Sequence, residues 1–162
     1  MVRELHEHGC HVALTFECLS ISDTIDRVRS PKAGAIVLFA GTTRDSFQGK
    51  EVKELEYTSY EPLALQTMLN ICKAIREKHS LTAIAIIHRL GKVPIGEESI
   101  LVTASSPHRQ AAWRAGEEAL EECKAKVEVW KWEEMTDGTG SSWRANQDAV
   151  NPKIVAVSHN NE

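Results

Sequence analysis

Ser99-Ile-Leu-Val-Thr-Ala-Ser105 runs into Ser106-Pro-His-Arg109 and a helical stretch to Lys124, and then into Val127-Glu-Val-Trp-Lys131-Trp-Glu-Glu-Met135. The first run is rich in β-branched and apolar residues and reads as a strand. Ser106-Pro107 opens a helix, because proline is tolerated in a first turn. Ala112, Ala115, Ala119, Leu120 and Cys123 are its expected buried side. Val127 to Met135 is again a strand, with Val127, Val129, Lys131 and Glu133 on one face and Trp130 and Trp132 on the other. Beyond it, Thr136-Asp-Gly-Thr-Gly140 reads as a turn and Ser142 to Arg144 as a short return strand, which makes a hairpin.

Upstream, Thr82 to Leu90 is a strand and Gly91-Lys-Val-Pro-Ile-Gly96 a turn. Glu61-Pro62 opens a helix to about His79, with Leu65, Met68, Leu69, Cys72 and Ile75 recurring at three and four residues. Lys53 to Tyr60 alternates, with Leu55 and Tyr57 on one face. Gly34 to Thr43 is an almost unbroken apolar run that suits a buried central strand. It is followed by a polar loop from Ser46 to Lys50. Ser22-Asp23 caps a short helix to about Arg29, and residues 11–18 read as the first strand. Strands and helices do not alternate regularly. The expectation is an α+β domain, a mixed or antiparallel sheet packed with two main helices and a C-terminal hairpin. Its 162 residues fit a single domain, with flexible tails over about 1–10 and 149–162.

A net charge of -4 argues against a general nucleic-acid binder while leaving room for a local basic pocket. No apolar run approaches the eighteen residues of a membrane span, and Met1-Val-Arg-Glu-Leu-His-Glu-His lacks a signal-peptide core, so the cytoplasm is the expected location. Cys10, Cys18, Cys72 and Cys123 form no CxxC pair and are expected as reduced thiols. His6, His8, Cys10 and His11 are able in principle to hold a metal, but a His-rich, flexible terminus is the plainer reading. No metal and no cofactor are expected.

Two clusters carry the chemistry. With Ser106 as cap, His108 and Arg109 stand beside free backbone N–H groups at the positive end of a helix dipole. Cations are unfavourable there, and a bound phosphate or carboxylate resolves the conflict; the alternative is a solvated charged turn. Lys124 and Lys131 flank an apolar, Trp-bearing segment. Charged lysines beside Val and Trp are costly to desolvate, which favours a lowered lysine pKa or a bound anion. Seven residues along one strand would put the two on opposite faces, so they converge only if Lys124 belongs to the helix end and the chain turns before Val127. Anchor, proton donor and nucleophile are all open roles, and surface lysines at a helix C-terminus are the plain alternative. Gly41-Thr-Thr-Arg44 adds a forked anion-binding group where a strand runs into a loop.

Along roughly residues 10–148 the chain resembles the large, catalytic subunit of molybdopterin synthase. The resemblance rests on Gly34-Ala-Ile-Val-Leu-Phe-Ala-Gly-Thr-Thr-Arg44, Tyr60-Glu-Pro62, Ile87-His-Arg-Leu-Gly91, Ser106-Pro-His-Arg109 and Lys124 through Glu133. It implies catalysis by Lys124 and Lys131, and substrate binding by Arg44, His108, Arg109, Lys131, Trp132 and Glu133. It implies transfer of two sulfurs to cyclic pyranopterin monophosphate, making the dithiolene of molybdopterin. The sulfur comes from the Gly-Gly thiocarboxylate of a ubiquitin-like small subunit, in a heterotetramer built on a dimer of the large chain. Glu128 stands where that family usually has Pro, Trp132 where it has Lys or Arg, and Gln147 where a basic residue is common. Glu128 and Gln147 are expected to make the pocket less basic. By strand parity Trp132 faces away from Lys131. Two other readings are a persulfide sulfurtransferase using Cys123 and a non-catalytic anion-binding scaffold for a ubiquitin-like partner.

Overall fold

A computed structural model of the chain describes residues 2–138 and 143–145. The elements are β1 (Val2–Glu7), β2 (Cys10–Thr15), α1 (Ile21–Asp26), β3 (Ala35–Thr42), β4 (Ser46–Phe47), β5 (Lys50–Ser59), α2 (Glu61–His79), β6 (Ala83–Arg89), β7 (Gly91–Pro94), β8 (Glu98–Ser106), α3 (Arg109–Lys126), β9 (Val129–Met135) and β10 (Trp143–Ala145). The tail from Ala149, Ile154 to Val157, Gln147 and part of the Thr136–Gly140 turn lie outside the described residues.

One five-stranded sheet has the order β1-β2-β6-β8-β3, in which only β2 and β6 run parallel. Helices α2 and α3 pack on one of its faces. The apolar stripe of α2 meets Val12 and Leu14 from β2 and Ile84 and Ile86 from β6 in the main core. The helix stops at Ser80, whose left-handed backbone (φ 52°) turns two N–H groups back to the carbonyls of Arg76 and Glu77. On the other face Val28, Ala83 and Ala85 form a smaller cluster with Ile36. A second sheet has the order β10-β9-β5-β4, with β7 also paired to β5. The α+β class, the mixed sheet, the two main helices and the C-terminal hairpin of β9 and β10 match the expectation. Among the described residues no helix is long and apolar enough to cross a membrane.

Several expectations are corrected. The N-terminal residues expected as a flexible tail form β1, paired along its length with β2. The apolar run in β3 lies at the sheet edge and is half-buried, with Phe39 exposed. Apolar content signals two covered faces, but it does not say whether both edges of a strand are paired. The supposed turn at residues 91–96 contains strand β7, and the polar loop at 46–50 is the hairpin of β4 and β5, closed by Gln48 and Gly49 with φ of 49° and 77°. Helix α1 is capped by Ser20, whose side chain accepts from the Asp23 N–H, and α3 begins at Arg109 with His108 as its cap residue.

Candidate active site

Helix α3 ends at Lys126, Val127 is its extended cap, and β9 starts at Val129. That short reversal brings Lys124 from the helix and Lys131 from the strand into one cleft. The cleft, about 400 Å³, also takes Arg44, Phe47, Tyr57 and Glu133 into its walls. The register of β5 on β9 pairs Leu55 with Glu133 and Tyr57 with Lys131, so the alternating face of β5 becomes one wall. The end of β3 forms another. There a Cβ on Gly41 would lie 2.8 Å from Ile100 Cγ2, and the Gly41 carbonyl accepts a hydrogen bond from the Ser99 hydroxyl (3.2 Å). Glycine is required at this close approach.

Lys131 Nζ lies 3.2 Å from Glu133 Oε1, and the Glu133 side chain is only 6% exposed. Glu133 Oε2 is 3.9 Å from Arg144 Nη1 and accepts no hydrogen bond among the described residues. The Phe47 ring lies 5.8 Å from Lys131 Nζ and 5.4 Å from the Arg144 guanidinium, within reach of a cation–π attraction. Burial raises the Tyr57 phenol above its usual pKa; the Glu133 charge adds to this and a Ser99 hydrogen bond opposes it. Behind Tyr57, His88 stacks edge-on at 4.9 Å and its Nδ1–H donates to the Arg89 carbonyl (2.7 Å). Among the described residues Arg44, Lys124 and Lys131 face the cleft against a single carboxylate, Glu133, so the cleft favours an anion with donors to spare for that carboxylate.

His108, Arg109 and Trp132 do not line the cleft. His108 and Arg109 are exposed at the far end of α3. The expected cap geometry shifts by two residues, because the Ser106 hydroxyl donates to the His108 carbonyl rather than accepting from a helical N–H. Trp132 packs on Trp143 with ring centroids 5.4 Å apart, on the face away from Lys131. Glu128 accepts from the Thr67 hydroxyl on α2 (3.2 Å) and is not in the cleft wall, so it does not make the cleft less basic as expected. Gln147 lies outside the described residues. Cys123 is buried and its thiol is pushed up to about 12, which removes the thiolate that a persulfide carrier needs. Phe47 and Ser99 were not singled out from the sequence, and no local signal marks them. They join the cleft through hairpin β4–β5 and the pairing of β3 with β8.

Residues 14–126 match the family model described as MoaE protein. The chain is 73% identical over 148 residues to the molybdopterin synthase catalytic subunit of Sclerotinia sclerotiorum, covering 91% of this chain and 76% of that protein. It is 65% identical over 152 residues to the protein of the same name from Neurospora crassa, covering 93% and 74%. The structure of molybdopterin synthase from Staphylococcus aureus superposes with a TM-score of 0.77 at 34% identity, over 81% of this chain and 94% of that one.

Proposed function

The chain belongs to the MoaE protein family, and from that membership and its basic cleft we infer the reaction it performs. It is the catalytic subunit of molybdopterin synthase, a sulfurtransferase of molybdenum cofactor biosynthesis. It moves two sulfurs from the C-terminal thiocarboxylate of a ubiquitin-like small subunit to cyclic pyranopterin monophosphate. The observation that carries this reading is the convergence of Arg44, Lys124 and Lys131 beside buried Glu133. Both reactants are anionic, one through its phosphate and the other through its thiocarboxylate. Three cationic side chains in one cleft hold them together and offset the charge that would keep them apart.

Within this reading each side chain has a task. Arg44, at the exposed mouth, holds phosphate with its forked donors. Lys124 and Lys131 stabilise charge that develops during attack and move protons to and from the reacting centre. Glu133 fixes Lys131 through the 3.2 Å ion pair and keeps Oε2 for a ligand N–H or O–H. Trp132 points elsewhere and has no contact role here.

His108 and Arg109 enter through a second copy of the chain. From Arg109 to Lys124 the helix rises about 23 Å, too far for one small substrate to bridge. A two-fold dimer brings the anion-binding start of α3 from one copy to the lysines of the other. The exposed apolar edge at β3 supports such an association. With a small subunit bound to each copy, the assembly is a heterotetramer. Four free cysteines are consistent with a reducing compartment, and we assign the enzyme to the cytoplasm. The test is reconstitution. Purified chain, thiocarboxylated small subunit and cyclic pyranopterin monophosphate should yield molybdopterin; binding of the small subunit without turnover would leave only a scaffold.

A further inference from the structure

The hairpin of β1 and β2 turns through His8 and Gly9, both with positive φ (36° and 74°). This two-residue turn matches the right-handed twist of the strands and sets their register. It places His6 directly opposite His11. Glu4, two residues before His6, shares its face, while Leu5 points the other way and packs against the core. Glu4, His6 and His11 each bring one ligand atom into a group whose members all lie within 4.8 Å of one another. The His6 and His11 rings stack, with centroids 5.9 Å apart.

A second observation singles out this face. The His11 side chain is only 9% exposed, yet its Nε2 lies 3.6 Å from Glu4 Oε2 and has no hydrogen-bond partner among the described residues. A buried ring nitrogen left in this way is costly unless something completes it. A cleft of about 290 Å³ opens beside it, lined by His6, Gly9, Cys10, His11 and Arg27. Cys10 belongs to the apolar core and its thiol is raised by burial, so it is not a ligand.

We propose that Glu4, His6 and His11 bind one divalent transition-metal ion of the zinc class. Two imidazoles and one carboxylate suit zinc, nickel, cobalt or copper, and not magnesium or calcium, which take oxygen ligands. Around a tetrahedral ion with bonds of about 2.0–2.1 Å the ligand atoms stand roughly 3.3 Å apart. His6 and Glu4 are exposed and close the remaining gap by side-chain rotation. Arg27 now occupies the cation's place, with Nη1 3.5 Å from His11 Nδ1 and Nη2 3.6 Å from Glu4 Oε2. It is 43% exposed and withdraws when the ion enters, because metal at Nε2 leaves a proton on Nδ1 that cannot face another donor. The site sits on the edge pair β1–β2, and β1 lies four strand spacings, roughly 19 Å, across the sheet from β3, whose end walls the sulfur-transfer cleft. The ion staples the hairpin and takes no part in sulfur transfer.

The experiment is a calorimetric titration of the untagged full-length chain with Zn²⁺, with Mg²⁺ as control. One saturable Zn²⁺ per chain is expected, with no heat from Mg²⁺. His6→Ala should weaken binding by about tenfold or more, since losing a coordinating imidazole costs at least as much as losing an outer partner. His8→Ala, in the same turn but outside the group, should bind like wild type, and Arg27→Ala should bind more tightly. His11 is buried and its substitution also perturbs the fold, so the exposed-site variants His6→Ala and Glu4→Gln decide the matter, with circular dichroism reporting folding. Absence of saturable Zn²⁺ binding overturns the proposal. So does His6→Ala binding within about threefold of wild type, or His8→Ala losing as much as His6→Ala.

Discussion

Lys131→Ala separates what this lysine does for the fold from what it does for the reaction. The substitution removes Nζ from its place 3.2 Å from Glu133 Oε1 and leaves a carboxylate on a side chain that is only 6% exposed. Breaking a buried ion pair on one side costs about 3–5 kcal/mol, because the remaining charge is desolvated without compensation. Here Lys131 is itself 18% exposed and Arg144 stands 3.9 Å from the other oxygen, so the expected loss falls to about 2–3 kcal/mol. For a 162-residue chain that corresponds to a fall of about 4–12 °C in Tm. Urea unfolding followed by tryptophan fluorescence gives the free energies for Lys131→Ala, Glu133→Gln and the double variant. An uncharged amide removes the orphaned charge, so the double variant should regain much of the stability and show a coupling of about 1–3 kcal/mol. All three proteins should be nearly inactive, which divides the stability effect from the catalytic one. Destabilisations that add to within about 0.5 kcal/mol would refute the pair as the reason for the loss.

Lys124→Ala should abolish turnover while leaving the small subunit bound, and Lys124→Arg should recover anchoring but not proton transfer; steady-state kinetics with a pull-down of the small subunit check both. Mixing Arg109→Ala with Lys124→Ala protein under verified subunit exchange should restore activity, and mixed dimers no better than the separate variants would exclude a shared site. Cys123→Ala should keep turnover, and brief alkylation of the native protein should label Cys18, the one exposed thiol of the four, without inactivation, as mass spectrometry would show. Burial holds His88 at a pKa of about 4, below its usual 6.5, so the unfolded chain takes up a proton first as pH falls. The associated stability is present above pH 6.5 and drains away towards pH 4, by about 2 kcal/mol at pH 5, and His88→Gln should flatten that part of a denaturant-derived stability profile.

Helices α2 and α3 and strands β2, β6 and β8 were legible because each buries one face or both, and burial writes a period of 3.6 or a dense β-branched run into the sequence. The same is true of Lys131 and Glu133 sharing a face of β9, a consequence of strand parity alone. The mistakes have a common cause. β1, β4 and β7 are short or polar, and what makes them strands is a partner's hydrogen bonds rather than a pattern of their own. The edge position of β3 likewise depends on what pairs beside it.

What the sequence determined by itself, then, is the inventory: an α+β chain, its two long helices, and the basic residues able to hold anions. Tertiary structure alone decided which of them meet. Arg44 and Lys131 are 87 positions apart, and they share a cleft only because β5 pairs with β9 while β3 ends beside both. It also decided that Glu128 turns to Thr67 rather than into the cleft, and that Cys123 is a buried thiol rather than a nucleophile. Local pattern records what a residue must bury. Register and packing between distant segments set its neighbours, and through them its charge and reactivity.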